Sequence, residues 1–369
     1  MRSLLLVTAS ALAVSSLPSF AEESGKTVGS ANTGIRLSFS GQVNRGVLFA
    51  DDGVSSETFF VDNDNSSTRF RFTGEGDFGD GWTAGVNIEI QAESNSTASV
   101  NQITQNTGGG SSFLSERKLE LFFENDKFGR LTVGQGDTAS NSTSEVDLSG
   151  TSIVAYSGVA DFAGGILFRD SANALTTVSV GSVVTNLDGL SRQDRVRYDA
   201  PSFGGVTLSG SVGSDGIYDV AARYNSTLGA FKVGAALAYS VDAADDETVN
   251  GSVSLLHQDT GLSLTLAGGS RDRELATDLR DTKFGYVKVG YQTTAISNLG
   301  ATAFSIDYSV SDDVAAVGDE ATSYGIAAVQ HIDAIGTDLY LGVRNYELDR
   351  PGSQFQDVTA VLAGARLKF

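Results

Sequence analysis

No cysteine occurs among the 369 residues, which excludes a disulfide framework and any thiolate metal site. Basic charge is also scarce. Twenty-five Lys and Arg stand against 45 Asp and Glu, for a formal net charge of −20. Non-specific nucleic-acid binding needs the opposite sign and is set aside. Histidine is limited to His257 and His331, far apart in the chain and without a carboxylate motif beside either, and no G-x-S-x-G occurs. Neither a zinc site nor a serine triad is suggested, and no enzyme is expected. Past residue 21 no apolar run approaches the ~18 residues of a membrane-crossing helix. The longest, 233–241, is interrupted by Gly234 and Ser240. Proline is nearly absent as well, with three in all, so the usual punctuation of linkers between domains is missing.

What is present is glycine, 43 residues of it, with 40% hydrophobic and 19% charged residues. That mixture weakens ordinary helices and suits one large β architecture. The first 21 residues read as a targeting segment. Met1-Arg2 is a short basic start, Leu4 to Val14 an apolar core, and Ser19-Phe20-Ala21 a small-x-small cleavage pattern. Cleavage after Ala21 removes Arg2 and leaves a mature chain, 22–369, at −21. Export without a later helical span points to the periplasm, the medium or the outer membrane.

The mature sequence repeats one pattern, about ten residues alternating apolar with polar or small, then a polar or glycine-rich break. Ile35-Arg36-Leu37-Ser38-Phe39-Ser40-Gly41-Gln42-Val43 shows it, and Leu262-Ser263-Leu264-Thr265-Leu266 repeats it. Period two means strands whose faces want different surroundings. Such segments fall near 34–49, 66–78, 82–94, 115–124, 130–138, 192–200, 206–214, 218–228, 231–240, 247–259, 262–272, 283–293, 301–312, 322–333, 337–349 and 356–369. Sixteen is an even count, as an up-and-down membrane barrel requires. The connections alternate between tight turns such as Gly79-Asp80-Gly81 and longer loops, of which 139–191 is the longest. A barrel shows this alternation when one rim faces the periplasm and the other the outside. Pro201 falls in a short turn and Pro351 in the last long loop, so no strand contains a ladder-breaking residue. A soluble β-sandwich or β-helix gives no reason for the alternation.

Three stretches now carry a resemblance. Ser67 to Gly74 followed by Phe78 to Gly85, Lys127 to Ala139, and Arg195 to Gly205 resemble consecutive strand regions of the general porins of Gram-negative bacteria, with the best likeness to the alphaproteobacterial branch. The likeness covers essentially the whole mature chain. It implies an all-β, sixteen-stranded antiparallel transmembrane barrel, a homotrimer in outer-membrane lipid and lipopolysaccharide, passing small hydrophilic solutes and ions passively. It implies further that the third long loop, 139–191, folds inward as the constriction, and that the terminal Phe369 serves as an assembly signal.

Counting by twos from apolar neighbours turns Arg36, Arg69, Arg71, Lys118, Arg195, Arg197, Arg223, Arg344 and Arg366 inward. The third loop carries Glu145, Asp147, Asp161 and Asp170. In the family such groups oppose one another across the pore. The resemblance therefore proposes Arg36, Arg69 and Arg71 for the basic side and Glu145, Asp147 and Asp161 for the acidic side. The net negative charge favours a mild cation preference. A substrate-specific channel or an adhesin-type barrel is the alternative reading.

Two other motifs are set aside. Gly74 to Gly79 satisfies G-x-G-x-x-G but opens a turn into a strand, where a dinucleotide site needs a helix. Asp62-Asn63-Asp64-Asn65-Ser66 begins like a calcium loop but lacks the later glycine and glutamate. No cofactor is expected. Loosely bound divalent cations are conceivable at acidic loop residues such as Asp245, Asp246, Asp312, Asp313, Asp319 and Glu320.

Overall fold

A computed structural model of the chain describes residues 26–28, 34–106, 113–273 and 280–369. The expected targeting segment, 1–21, lies outside the described residues. Sixteen long strands follow one another: β1 (Arg36–Asp51), β2 (Arg69–Gly79), β3 (Trp82–Ala92), β4 (Leu114–Asn125), β5 (Gly129–Asp137), β6 (Arg192–Asp199), β7 (Val206–Gly213) and β8 (Tyr218–Leu228). The second half comprises β9 (Phe231–Val241), β10 (Glu247–His257), β11 (Leu262–Asp272), β12 (Thr282–Thr293), β13 (Thr302–Asp312), β14 (Glu320–Ile332), β15 (Thr337–Arg350) and β16 (Val358–Lys368). Each pairs antiparallel with the next, and β1 pairs with β16 from Gln42↔Lys368 to Asp51↔Thr359. The sheet closes into a barrel with no free edge. No described helix is long and apolar enough to cross a membrane.

Period-two sequence dictates which face each residue takes. On β4, Leu119, Leu121 and Phe123 are exposed on the outer surface while Glu120 between them is buried inside. The same alternation puts Leu262, Leu264 and Leu266 outside and Ser263 and Thr265 inside on β11. Outer apolar side chains meet lipid, and inner hydroxyls and charges meet the lumen. Phe369 and the short strand Lys26–Val28 both pair with β1. Phe369 pairs with Gly41 through both backbone hydrogen bonds, each 2.9 Å, and Lys26–Val28 pairs with β1 just beyond, at Leu37–Phe39.

The structure departs from strict alternation in three places. The first long loop is largely strand, because Ser56–Asp62 pairs back onto Arg45–Asp51 and extends the β1 hairpin outward. The inner wall is not polar all round. Leu48, Ala50, Tyr346, Leu348, Ala360 and Leu362, on β1, β15 and β16, face inward and form a dry cluster with Phe162, Ile166, Phe168, Val180 and Val183 of the third loop. A loop folded into the barrel needs its own core, and the wall supplies half of it. The third departure, a bulge in β4, is described with the site.

Gly134 shows how closely the wall is built. It sits at φ +118° within β5, and a Cβ there would lie 2.3 Å from the Leu119 carbonyl oxygen of β4. Gly134→Ala is expected to cost roughly 1–3 kcal/mol through backbone strain at that position. A lower urea midpoint for the folded band on unheated gels checks it.

Candidate functional site: a charged constriction

The third loop runs from Thr138 to Ser191, between β5 and β6. It folds against the inner wall because that wall presents hydroxyls and amides at alternate positions. Ala139 N donates to Ser211 Oγ at 3.0 Å and Ser140 N to Asp219 at 2.7 Å. Further along, Val146 N and Leu148 N donate to Ser252 and Ser254 on β10, at 3.0 and 2.9 Å. Thr151 bonds Ser305 on β13, Thr185 N bonds Ser311, and the Tyr346 hydroxyl donates to the Val159 carbonyl at 2.7 Å. The loop is thus stitched to β7, β8, β10, β13 and β15. The walls of β2 to β6 stay opposite it.

Those opposite walls carry the basic side. Arg69 and Arg71 point inward from β2, and Glu89 of β3 lies between them, its side chain buried. Arg117 of β4 joins them, donating to Glu89 at 2.7 Å and to Gln91 at 2.6 Å. Alternation hides Arg117. In the β3–β4 ladder Glu89 faces Lys118 but Ile90 faces Glu116, so Arg117 is an extra residue in a β-bulge. A bulge turns two successive side chains to one face. Arg117 and Lys118 both point into the lumen, Lys118 onto Asp137 of β5. Arg192 at the start of β6 lies 3.8 Å from the same carboxylate. Arg36 stands apart, exposed and paired with Glu75 at 3.3 Å towards the tight-turn rim.

The remaining inward bases are each tied to wall or loop oxygens. Arg195 pairs with Glu120, Arg197 with Asp199, Arg344 with Asp307 and Arg366 with Asp338. Arg223 donates to the Asn141 carbonyl of the third loop at 2.7 Å. His331 meets Asp338 at 2.6 Å across β14–β15, a carboxylate partner that the sequence spacing conceals.

The acidic side is a string drawn from three loops. Asp64 belongs to the first loop, Glu93 to the second, and Glu145, Asp161 and Asp188 to the third. None of the five makes an ion pair within 4.0 Å among the described residues, unlike the wall carboxylates. Glu145 accepts from Asn186 at 2.8 Å, Asp161 from the Tyr156 hydroxyl, and Asp188 from Ser142 N at 2.9 Å. Burial first, then the neighbouring Asp64 and Asp62, pushes Glu93 up to about 8. Burial likewise raises Asp64 and Glu145 above the usual carboxylate range. Asp161 lies well above it through burial and Asp64, and Asp188 through burial and Glu145. Arg117 and Arg192 are the cations whose fields reach this string.

Of the six pore charges proposed from sequence, Arg69 and Arg71 gather around Glu89 on the β2–β4 wall, and Glu145 and Asp161 fall in the carboxyl string. Asp147 does not join them. Its side chain is buried behind the loop on Lys288 of β12, at 2.6 Å. Asp170 stays in the loop's outer hairpin, accepting from Ala172 N and Ala174 N. Among the described residues no group of three acidic or histidine side chains is placed to hold a metal ion. The calcium-like Asp62 to Ser66 stretch is a capped turn in which Asn65 N donates to Asn63 Oδ1 at 3.1 Å. Asp319, in the seventh long loop, is held by Arg350 at 2.6 and 2.7 Å.

Comparison with known proteins agrees with this architecture. The sequence model of the Gram-negative porin family matches residues 7–351. No curated protein matches the sequence. Among solved structures, an anion-selective porin from Comamonas acidovorans superposes with a TM-score of 0.62 at 15% identity, over 91% of this chain and 100% of that one. OmpT of Vibrio cholerae in its trimer form gives 0.58 at 13% identity, over 91% and 99%. The outer membrane channel DcaP of Acinetobacter baumannii gives 0.56 at 13%, over 92% and 99%. At these identities the likeness speaks for the fold, and the family match for kinship. The fold and family are those of outer-membrane channels rather than enzymes, and this chain belongs to the Gram-negative porins.

Proposed function

We propose that the protein is a general diffusion porin with a mild cation preference, in which the third loop and the β2–β6 wall form the constriction. One observation carries this reading: fixed charges of both signs line the open side of the loop, carboxylates from three loops towards guanidiniums from β2, β4 and β6. Such a lining sorts solutes by width and charge. Around Glu89 three guanidiniums meet one carboxylate, and around Asp137 two cations meet one. Facing them are the five carboxylates of the string, which lie in no ion pair of their own among the described residues. Ionised, the string favours cations; protonated, it leaves the field to the guanidiniums.

The trimer form described for OmpT supports a homotrimer here, seated in outer-membrane lipid and lipopolysaccharide, with small hydrophilic solutes as passengers. Phe369, half-exposed at the outer surface with its ring 5.8 Å from Phe39, is assigned the assembly signal. Single-channel recording in planar bilayers tests the whole. Stepwise conductance rising in proportion to salt, with a reversal potential favouring cations in mild alkali, is expected. Conductance that one solute blocks saturably at low concentration indicates a substrate-specific channel instead.

A further inference from the structure

The wall behind the third loop contains a polar patch that the transport reading does not use. On β12 to β15 the inward residues form two rows, Tyr286, Ser309, Ser323 and Tyr346 in one, and Lys288, Asp307, Gly325 and Arg344 in the other. Lys288, Asp307, Ser309 and Arg344 are each no more than 3% exposed, and Tyr286 is 5% exposed. Arg344 reaches across Gly325 to Asp307 at 2.6 Å and to Ser323 at 3.0 Å. A Cβ on Gly325 would lie 2.8 Å from the guanidinium. Glycine keeps this crossing open.

This patch is not saturated by protein partners. Tyr286 Oη, Asp307 Oδ2, Ser309 Oγ and Arg344 Nε have no hydrogen-bond partner among the described residues. Buried groups of this kind are satisfied by ordered water, and the four present both donors and acceptors to it. One side chain in the patch bonds the loop directly at two points. The Lys288 ammonium donates to Asp147 Oδ2 at 2.6 Å and to the Ala155 carbonyl, eight residues further along. That pins the bend between them. Glu145 and Tyr156 flank the same bend, one at each end.

We propose that Lys288 is a positioning residue for the constriction: it holds the 147–155 bend against the β12–β15 wall and so sets where the Glu145–Asp161 face stands relative to the guanidiniums. It acts through Asp147 and Ala155 and touches no solute. Lys288→Met keeps length and volume but removes both bonds to the loop. It also leaves Asp147 buried without its cation, which a buried carboxylate does not tolerate in place. Lys288→Met paired with Asp147→Leu replaces the ion pair with an apolar contact, a change that buried ion pairs commonly accept.

Planar-bilayer recording of the full-length purified variants is the test. Lys288→Met is expected to raise open-channel current variance several-fold and to lower the voltage at which the channel closes. The double variant should return both to the parent value. Asp147→Asn, which keeps an acceptor oxygen and folds more readily, should show the same changes to a smaller degree. Parent-like variance and closure voltage in both single variants overturn the proposal. So does a shifted reversal potential with unchanged variance, since that identifies Lys288 as a charge felt by the permeating ion. The inference rests on the third loop being the constriction. Absence of stepwise current in the parent defeats that reading, whereas normal parent steps with quiet variants defeat only the role of Lys288.

Discussion

Glu89→Gln is expected to convert the channel from mild cation preference to clear anion preference in dilute salt. Glu89 is the single carboxylate that Arg69, Arg71 and Arg117 share, and its side chain is 2% exposed while Arg71 remains 36% exposed to the lumen. Glutamine keeps the shape and one acceptor oxygen, so the guanidiniums retain a partner and the wall keeps its form. The net charge of the cluster rises by one. One unit charge about 6 Å from the ion path in a water-like dielectric contributes about 0.7 kcal/mol. That is about threefold for each ion, with opposite signs, and about tenfold in the cation-to-anion permeability ratio. Reversal potentials in a potassium chloride gradient read the change. Screening supplies an internal control, because the Debye length falls from about 10 Å at 0.1 M to about 3 Å at 1 M salt. The shift should fade over that range. An unchanged reversal potential at low salt would remove the triple-arginine cluster from the conduction path.

The barrel was legible because each strand writes its own register. Every alternating segment read from the sequence lies within three residues of a strand of the structure at both ends. Arg69 and Arg71 were legible for the same reason, being two apart with Phe70 and Phe72 on the other face. Arg117 was not, since a bulge breaks the count by which faces are assigned. Its signal was the run Glu116-Arg117-Lys118, three charges in succession where alternation allows none. Asp147 looked like its loop neighbours in sequence. Only the path of the loop over β12 separates it from Glu145, and that path depends on hydroxyls more than a hundred residues away. The seat for the loop left a trace as well, in inward serines at 211, 252, 254, 305 and 311. Short-range alternation reveals strands, while the partner of an inward side chain depends on closure of the whole sheet.

Lowering the pH from 9 to 5 should reverse the ion preference of the parent channel. The carboxyl string of Asp64, Glu93, Glu145, Asp161 and Asp188 faces Arg117 and Arg192, with Tyr156 and Asn186 bonded to two of its members. Its groups hold their protons above the ordinary carboxylate range, Glu93 to about 8. The guanidiniums keep their charge throughout this interval. At pH 9 more of the string is ionised and cations are favoured. At pH 5 more of it holds protons, the guanidinium charge dominates, and anions pass preferentially. Glu93→Gln should delete the step centred near pH 8. The same proton affects stability with a definite sign. Because the folded Glu93 binds its proton more tightly than the unfolded residue, whose value is 4.5, its contribution is fully present below pH 4.5 and lost as pH rises through 8. The loop assembly should therefore loosen in alkali in the parent, and less so in Glu93→Gln, as read by protease cleavage within the third loop. Reversal potentials that stay constant from pH 5 to 9 would mean that the carboxyl string lies off the path of the ions.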